Sequence, residues 1–408
     1  MDYVVVGASA AGINGAKTLR TLDPEATITL VSKDEEIYSR CILHHYLEDI
    51  RNIEQLNFAE PGFIEKNRIQ WHKGVALDQI DPVKKILTLS DGSSLPYDKV
   101  LLATGASTFF PPITNLAQAK NVAGLRNLED AQLIKERAAK TQDIVIMGAG
   151  LVGIDALEGT LHYGKNLTLV EFNGHMLSMQ LDKKAAAAYQ KAFEDRGVAQ
   201  YYSTAVQEAV LNEDGSIKAL KLSNGETIPC DFLIVATGVR SNVAFLEGSG
   251  IETDRFGLLF NEFGETSAAD VYGAGDVSGR NPIWPAAVKE GIIAASNMTG
   301  EKKELTDFFA SKSTMNFLKI ATMSIGRPEP EDDSHQVEIM EDQQGNYKKI
   351  IHKDGVITGA IIQGDLSYTG VLTQLIRNKI HVGKVRKPIF EIDYSDFFQQ
   401  TSDLEFKI

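Results

Sequence analysis

The pattern of apolar and polar positions nearly repeats along the chain. An apolar run at 3–6 meets the turn Gly7-Ala8-Ser9-Ala10-Ala11-Gly12. Helical spacing follows to about Leu22, then a second apolar run at 27–31. Much later a run at 144–147 meets Gly148-Ala149-Gly150-Leu151-Val152-Gly153. Helical spacing to about Tyr163 and a run at 167–170 follow. The switch from unbroken apolar runs to 3.6-residue spacing predicts two strand–glycine turn–helix–strand units. A β-rich stretch follows each unit, at 75–97 with a turn at Asp91-Gly92, and at 205–231 with turns at Asp214-Gly215 and Asn224-Gly225. Asp-Gly and Asn-Gly favour the positive-φ turns of hairpins. Each stretch feeds an apolar strand that closes in Ala103-Thr104-Gly105 or Ala236-Thr237-Gly238.

A third glycine turn, Gly273-Ala274-Gly275-Asp276, precedes a helical stretch at 285–298. After Gly300 the texture changes to alternating strands at 348–351 and 356–363 and one helix at about 368–379, with a solvated acidic loop at 329–333. These patterns predict an α/β chain with two Rossmann-like dinucleotide-binding domains and a small C-terminal α+β domain. The expected division is 1–112 with 239–303, then 113–238, then 304–408.

Composition narrows the chemistry. The 408 residues hold two cysteines, Cys41 and Cys230, which excludes a disulfide scaffold, a multi-cysteine metal site and a CxxC or CxxxxC redox pair. The other histidines show no metal-ligand spacing, so no metal site is expected. A net charge of −14 argues against nonspecific nucleic-acid binding, which needs Lys and Arg in excess. No run of about 18 apolar residues predicts a membrane span. The opening residues enter a strand with no basic leader, so no signal peptide and a cytoplasmic location are expected.

A pyrophosphate needs backbone N–H donors and a positive helix end close by, and only small turn residues allow that approach. Gly148-x-Gly150-x-x-Gly153 meets this need, with Leu151 and Val152 opening the helix. Glu171, at the end of the next strand, can accept bonds from a ribose 2′-hydroxyl and would repel a 2′-phosphate, so NAD(H) is expected over NADP(H). The first turn departs from the pattern. Ser9 holds its middle position, and Ser32, followed by Lys33, stands where the strand-end acid belongs.

The five motifs, in this order, resemble the FAD-dependent pyridine-nucleotide oxidoreductases of the glutathione-reductase-like fold, over essentially the whole chain. The resemblance implies FAD on the first unit and NAD(H) on the second. It implies that Asp276 bonds the FAD ribityl chain and that Thr104 and Gly105 lie along the FAD. Ala11, Gly275 and Ala286 join the cofactor-binding candidates. The segment Tyr38-Ser39-Arg40-Cys41-Ile42-Leu43-His44-His45-Tyr46-Leu47 is similar to one in NADH:rubredoxin reductases, oxygenase ferredoxin reductases and nitrite-reductase flavin domains. It sets Arg40 near the FAD pyrophosphate. Leu125-Arg126-Asn127-Leu128-Glu129-Asp130-Ala131 resembles their interdomain segment and adds Arg126. In that group a lysine and a glutamate pair near the flavin N5. They align here with His45 and Asp155, which are therefore expected to bracket the flavin–nicotinamide contact, with the imidazole protonated.

Cys41 stands at the group's proline, and two readings of it remain open. It is a small side chain packed beside the flavin, or the redox thiol of NADH oxidases, peroxidases and coenzyme A-disulfide reductases. The expected activity is NADH:acceptor oxidoreduction, possible in either direction, with a rubredoxin- or ferredoxin-like protein or a larger redox complex as acceptor. A Cys41-dependent oxidase, peroxidase or disulfide reductase is the alternative, and a non-catalytic nucleotide sensor a third reading. The resemblance also allows a homodimer through the C-terminal domain. The late basic run Lys384-x-Arg386-Lys387 reads as a solvated loop.

Overall fold

In the computed structural model, residues 1–306, 312–397, 399–403 and 405–407 are described; residues 307–311, 398, 404 and 408 of the expected C-terminal domain lie outside them. The chain folds around two parallel five-stranded sheets of one topology. In the first, the order across the sheet is Val271–Gly273, Lys99–Leu102, Asp2–Val6, Thr27–Ser32 and Ile69–Lys73. In the second it is Val122–Gly124, Phe232–Val235, Asp143–Met147, Asn166–Val170 and Ala199–Tyr201. Position for position the sheets correspond: a short edge strand, the strand closing in Ala-Thr-Gly, the strand before the glycine turn, and two more. Val5, Leu101, Ile146 and Ile234 are fully buried. Helices cover one face of each sheet and the β-rich stretch that follows each unit covers the other, so the strands are buried on both faces and read as unbroken apolar runs.

The two β-rich stretches form three-stranded antiparallel sheets, 77–96 and 206–229. Their turns place Gly92, Gly215 and Gly225 at φ of 83°, 85° and 90°, as the Asp-Gly and Asn-Gly pairs predict. The sheets are joined by Ala106–Thr108, antiparallel to Val239–Ser241. The first-turn helix, Ala10–Leu22, lies against Trp284–Met298. They approach so closely that a Cβ on Gly291 would lie 2.2 Å from the Ala11 carbonyl oxygen. That is why the 285–298 stretch returns to the first unit after a long excursion.

The C-terminal region is an antiparallel sheet ordered Lys312–Met315, Thr322–Gly326, Val356–Gln363, Tyr347–Lys353 and Gln336–Glu341, covered by the helix Thr369–Arg377. It packs on the second unit through buried polar contacts. Tyr189 donates to the Ile320 carbonyl at 2.7 Å. Tyr347 donates to Asp182 at 2.6 Å, and the buried Lys349 ammonium lies 3.0 Å from the same carboxylate. Glu158 accepts from the Leu318 N–H at 2.7 Å. Of the late basic run, Lys387 pairs with Asp393 and Asp396; the Lys384 side chain lies outside the described part.

Candidate functional site

The first turn is built by exclusion. Gly7 has φ of 120°, and a Cβ there would lie 2.1 Å from the Ala103 carbonyl oxygen; one on Gly12 would lie 1.8 Å from that of Gly7. Only glycine lets the strand, the turn and the closing strand meet. Ser9 caps the helix in extended conformation without a side-chain bond, so its hydroxyl is free to meet a ligand. The turn opens onto a cavity of about 430 Å³. Gly7, Ser9, Ala11, Ser32, Lys33, Arg40, Cys41, Ala103, Thr104, Gly105, Arg126, Gly275 and Asp276 all line it. Gly12 shapes the turn from behind. The lining alanine of the 284–298 helix is Ala287, not the expected Ala286; one residue along a helix turns a side chain by about 100°.

Several side chains are held in place around the cavity. Arg40 donates to Asp34 at 2.6 Å, to the Tyr38 hydroxyl at 2.9 Å and to the Arg126 carbonyl at 2.9 Å. The acid displaced from the strand end to Asp34 thus aims the arginine. Ser32 donates its one proton to the Asp34 carbonyl at 2.6 Å and accepts from the Trp71 indole at 2.8 Å. It cannot also donate to a ribose. Asn127 and Asp130 form a capping box at the start of Leu128–Lys140. That box fixes the chain at Arg126, whose guanidinium pairs with Asp276. Thr104 donates to the Asn242 carbonyl at 2.8 Å, and Asn242 returns a bond to the Thr104 carbonyl at 3.0 Å. Small residues at a helix N-terminus, two arginines and an enclosed groove suit an elongated ligand with a pyrophosphate, and the cavity therefore fits FAD.

The second turn repeats the first. Gly148 has φ of 104°, with a would-be Cβ 2.4 Å from the Ala236 oxygen, and that of Gly153 would lie 1.9 Å from the Gly148 oxygen. Gly150 meets nothing within 4 Å, and Val152 and Phe172 stand exposed beside it. Thr237 donates to the Phe109 carbonyl at 3.0 Å, and Gly238 accepts from the Phe109 N–H. Glu171 is buried, one oxygen accepting from the Ala149 N–H at 2.5 Å and the other from the Asn173 N–H at 2.6 Å. Each oxygen retains a lone pair for a ribose hydroxyl, so the acid both braces the turn and faces the ligand.

Where the two units meet, the expected pair is corrected. His44, not His45, faces Asp155, with Nδ1 3.2 Å from the carboxylate. The short helix Leu43–Leu47 lies against Leu151–Thr160, where Gly159 allows close approach to His44 and Leu47. That packing turns His44 inward. The protonation expectation is also reversed. Burial, then the neighbouring His45, pushes His44 down to about 4, and burial and Arg51 lower His45. Burial, then Glu158 and Glu48, holds Asp155 well above the usual carboxylate range. Both shifts favour the uncharged forms, a neutral imidazole beside a protonated carboxyl.

Cys41 is exposed and lines the cavity, yet desolvation, with Asp155 next, pushes its thiol up to about 11. It stays protonated at neutral pH, which is the opposite of an activated thiolate. Cys230 is buried among apolar side chains. Sequence reasoning missed His44, Asn242 and Tyr38 as site residues. Tyr38 and His44 stood inside the quoted segment, while Asn242 carries no signal at all.

Residues 1–291 match the model of the pyridine nucleotide-disulphide oxidoreductases, and residues 312–380 match that of the rubredoxin NAD+ reductase C-terminal domain. The chain belongs to the pyridine nucleotide-disulphide oxidoreductase family. It is an FAD-dependent NAD(H) oxidoreductase, although it lacks the paired cysteines of the family's name. It is 30% identical to the epsilon subunit of an NADH-dependent phenylglyoxylate dehydrogenase of Aromatoleum evansii, across 94% of this chain and 93% of that one. It is 25% identical to an assimilatory nitrate reductase electron transfer subunit of Bacillus subtilis, across 96% of this chain but 51% of that longer relative. Its fold matches putidaredoxin reductase, solved in a covalent complex with putidaredoxin, with a TM-score of 0.83 at 21% identity over 93% of this chain and 94% of that one. Among the described residues no helix is long and apolar enough to cross a membrane, and no group of three or more His, Cys, Asp or Glu side chains is placed to hold a metal.

Proposed function

We propose that the chain takes hydride from NADH onto FAD and passes the electrons to a separate protein, a rubredoxin- or ferredoxin-like carrier or the iron–sulfur partner of a larger complex in which it is the flavin subunit. The observation that carries this reading is the placement of the two cysteines: Cys41 lines the cavity without a second thiol, Cys230 is buried in the other unit, and desolvation of Cys41 disfavours its thiolate, so no cysteine pair stands ready as a relay. The relatives named as subunits of NADH-dependent and electron-transfer assemblies support it. We place the chain in the cytoplasm and divide it at 1–112 with 239–303, 113–238 and 304–408.

When bound, FAD supplies a centre that accepts a hydride and releases electrons singly or in pairs. The residues of the chain do the rest. The first turn, Arg40 and Arg126 bind and orient the flavin nucleotide, and Asp276, held by Arg126, faces its ribityl chain. The second turn and Glu171 hold NADH by pyrophosphate and ribose, which fixes the direction of its nicotinamide. His44 and Asp155, which lie where the two units meet, would border both ligands. A neutral imidazole beside a protonated carboxyl places no net charge there, so neither the neutral dihydronicotinamide nor the cationic product is favoured. That suits transfer in either direction.

Anaerobic titration with NADH tests the reading. Holoenzyme and Cys41→Ser are both expected to take up two electrons per chain. Uptake of four electrons, falling to two in Cys41→Ser, would show a redox thiol and replace this reading with the oxidase or disulfide-reductase one.

A further inference from the structure

Glu290 stands behind the cavity wall, not in it, and reaches the wall through Gly275. It lies on the helix Trp284–Met298, only 6% exposed, and its Oε2 accepts from the Gly275 N–H at 2.7 Å. Gly275 lines the cavity and has φ of 80°; a Cβ on it would lie 3.1 Å from that of Ala11 and 3.4 Å from that of Ala287. The carboxyl thus sits one residue behind the point where the first turn, the 273–276 turn and the 284–298 helix converge. That is the end of the cavity at which the pyrophosphate is expected.

Among the described residues, no cation is placed to neutralise a charge on Glu290. The facing helix approaches the next residue, Gly291, through Ala11 and Gly15, which carry no charge, and Tyr272 lies on a strand that contacts the helix of Glu290. Asp276, on the turn it braces, is the acid that acts on it and is itself paired with Arg126. Lys289 precedes it on its own helix. At the far end of that helix Lys99 donates to the Met298 carbonyl. A buried carboxyl is costly to ionise without a cation or several donors, and here it has one backbone N–H. Burial first, and Asp276 in addition, push Glu290 up to about 7.

We propose that Glu290 couples FAD binding to proton uptake: its carboxyl is protonated when the dianionic pyrophosphate is seated, and its ionisation weakens the hold on the ligand. The inference rests on the placement of FAD in this cavity. The sign follows from charge. An ionised Glu290 adds a negative charge behind the turn that receives two more, so binding raises its affinity for a proton, and FAD affinity falls as the pH rises. The pyrophosphate stays fully ionised throughout this range and supplies no competing titration. His44 and His45 are pushed below their ordinary range, Cys41 far above it.

The test is FAD rebinding to apoprotein prepared from the full chain, followed by quenching of flavin fluorescence between about pH 6 and about pH 8.5. The dissociation constant of the wild type is expected to rise about tenfold over this range. In Glu290→Gln, whose amide oxygen still accepts from Gly275, it is expected to change less than about twofold and to match the wild-type value at the acid end. Parallel pH curves for the two proteins would overturn the proposal and leave Glu290 as a brace for Gly275. Calorimetry of the wild type alone gives a second reading that needs no variant. Heats measured near pH 7 in buffers of different ionisation enthalpy should show proton uptake with FAD, and no uptake would overturn it. Failure of the FAD placement itself shows differently: Gly12→Ala would then bind FAD as the wild type does.

Discussion

The two glycine turns share a backbone and differ in almost everything around it. In both, a Cβ on the first glycine would strike the closing strand, and one on the last would strike the first glycine's carbonyl, at 1.8 Å and 1.9 Å. Around the first turn, further segments close a cavity, among them the one carrying Arg40, the one carrying Arg126, the 273–276 turn and the helix Trp284–Met298. The second turn stands open, with nothing within 4 Å of a Cβ on Gly150 and with Phe172 77% exposed. The difference teaches what the turn does by itself. It supplies N–H groups to a pyrophosphate, and nothing more. Whether a ligand stays or exchanges is decided by the walls, and an enclosed first cavity beside an open second turn is the arrangement expected for a retained flavin and an exchanging nicotinamide.

The sharpest way to break this comparison is to spoil one turn at a time. Gly12→Ala is expected to yield protein without flavin. Gly153→Ala should keep its flavin yet be reduced by NADH at least about a hundredfold more slowly, because a misplaced nicotinamide loses the benefit of orientation. Absorbance of the purified proteins and anaerobic stopped-flow measure the two effects. A Gly153→Ala protein that loses FAD would show that the two sites are not independent.

Next in size is the strand-end acid. Glu171→Ala is expected to lower kcat/KM for NADH by roughly ten- to a hundredfold, about 1.4 to 2.8 kcal/mol, and to narrow the preference over NADPH, with flavin content unchanged. Part of that loss comes from the turn, since Ala149 and Asn173 lose their acceptor. Glu171→Gln separates the parts, because its one amide oxygen can brace only one of the two N–H groups.

How much of this was legible in the sequence depends on range. The sheets, the turns and the hairpin inserts were readable because each is written in local spacing: buried parallel strands in apolar runs, positive-φ turns in Asp-Gly and Asn-Gly. Glu171 was legible as an acid at a strand end, but its grip on Ala149 N–H was not. The identity of the histidine facing Asp155 was out of reach, since His44 and His45 differ by about 100° on a helix of one turn, and only its packing on Leu151–Thr160 decides between them. Glu290, beside Lys289 in a helical stretch, carries no sequence signal of its own. Its burial comes from the close crossing of two helices, and the one local hint was the glycines, Gly15 and Gly291, inside helical stretches.

His44→Ala and Asp155→Asn test the region where the two halves meet. Each is expected to slow flavin reduction by NADH by about tenfold without loss of FAD. The pH dependence has a definite sign. His44, pushed down to about 4, is already neutral above about pH 5, and Asp155, raised, stays protonated until the solution is well above its ordinary range. Above about pH 5 the wild-type rate should therefore not respond to His44, and it should change on the alkaline side as Asp155 ionises. That alkaline change should vanish in Asp155→Asn. A rate that falls through about pH 6.5 in the wild type and not in His44→Ala would restore the protonated imidazole.

The smallest expected effect falls at Ser32, the first turn's counterpart of Glu171. If the acid at the second strand end selects its ligand, the serine at the first should matter mainly to the fold, because its proton goes to the Asp34 carbonyl and its oxygen serves Trp71. Ser32→Ala strands the indole N–H and should destabilise the protein by about 1 kcal/mol in denaturant unfolding. FAD affinity should change by less than about threefold, through the slight loosening of Asp34 and hence of Arg40. A larger loss of FAD affinity, with stability unchanged, would mean that Ser32 touches the flavin nucleotide directly. The two strand ends would then play the same part after all.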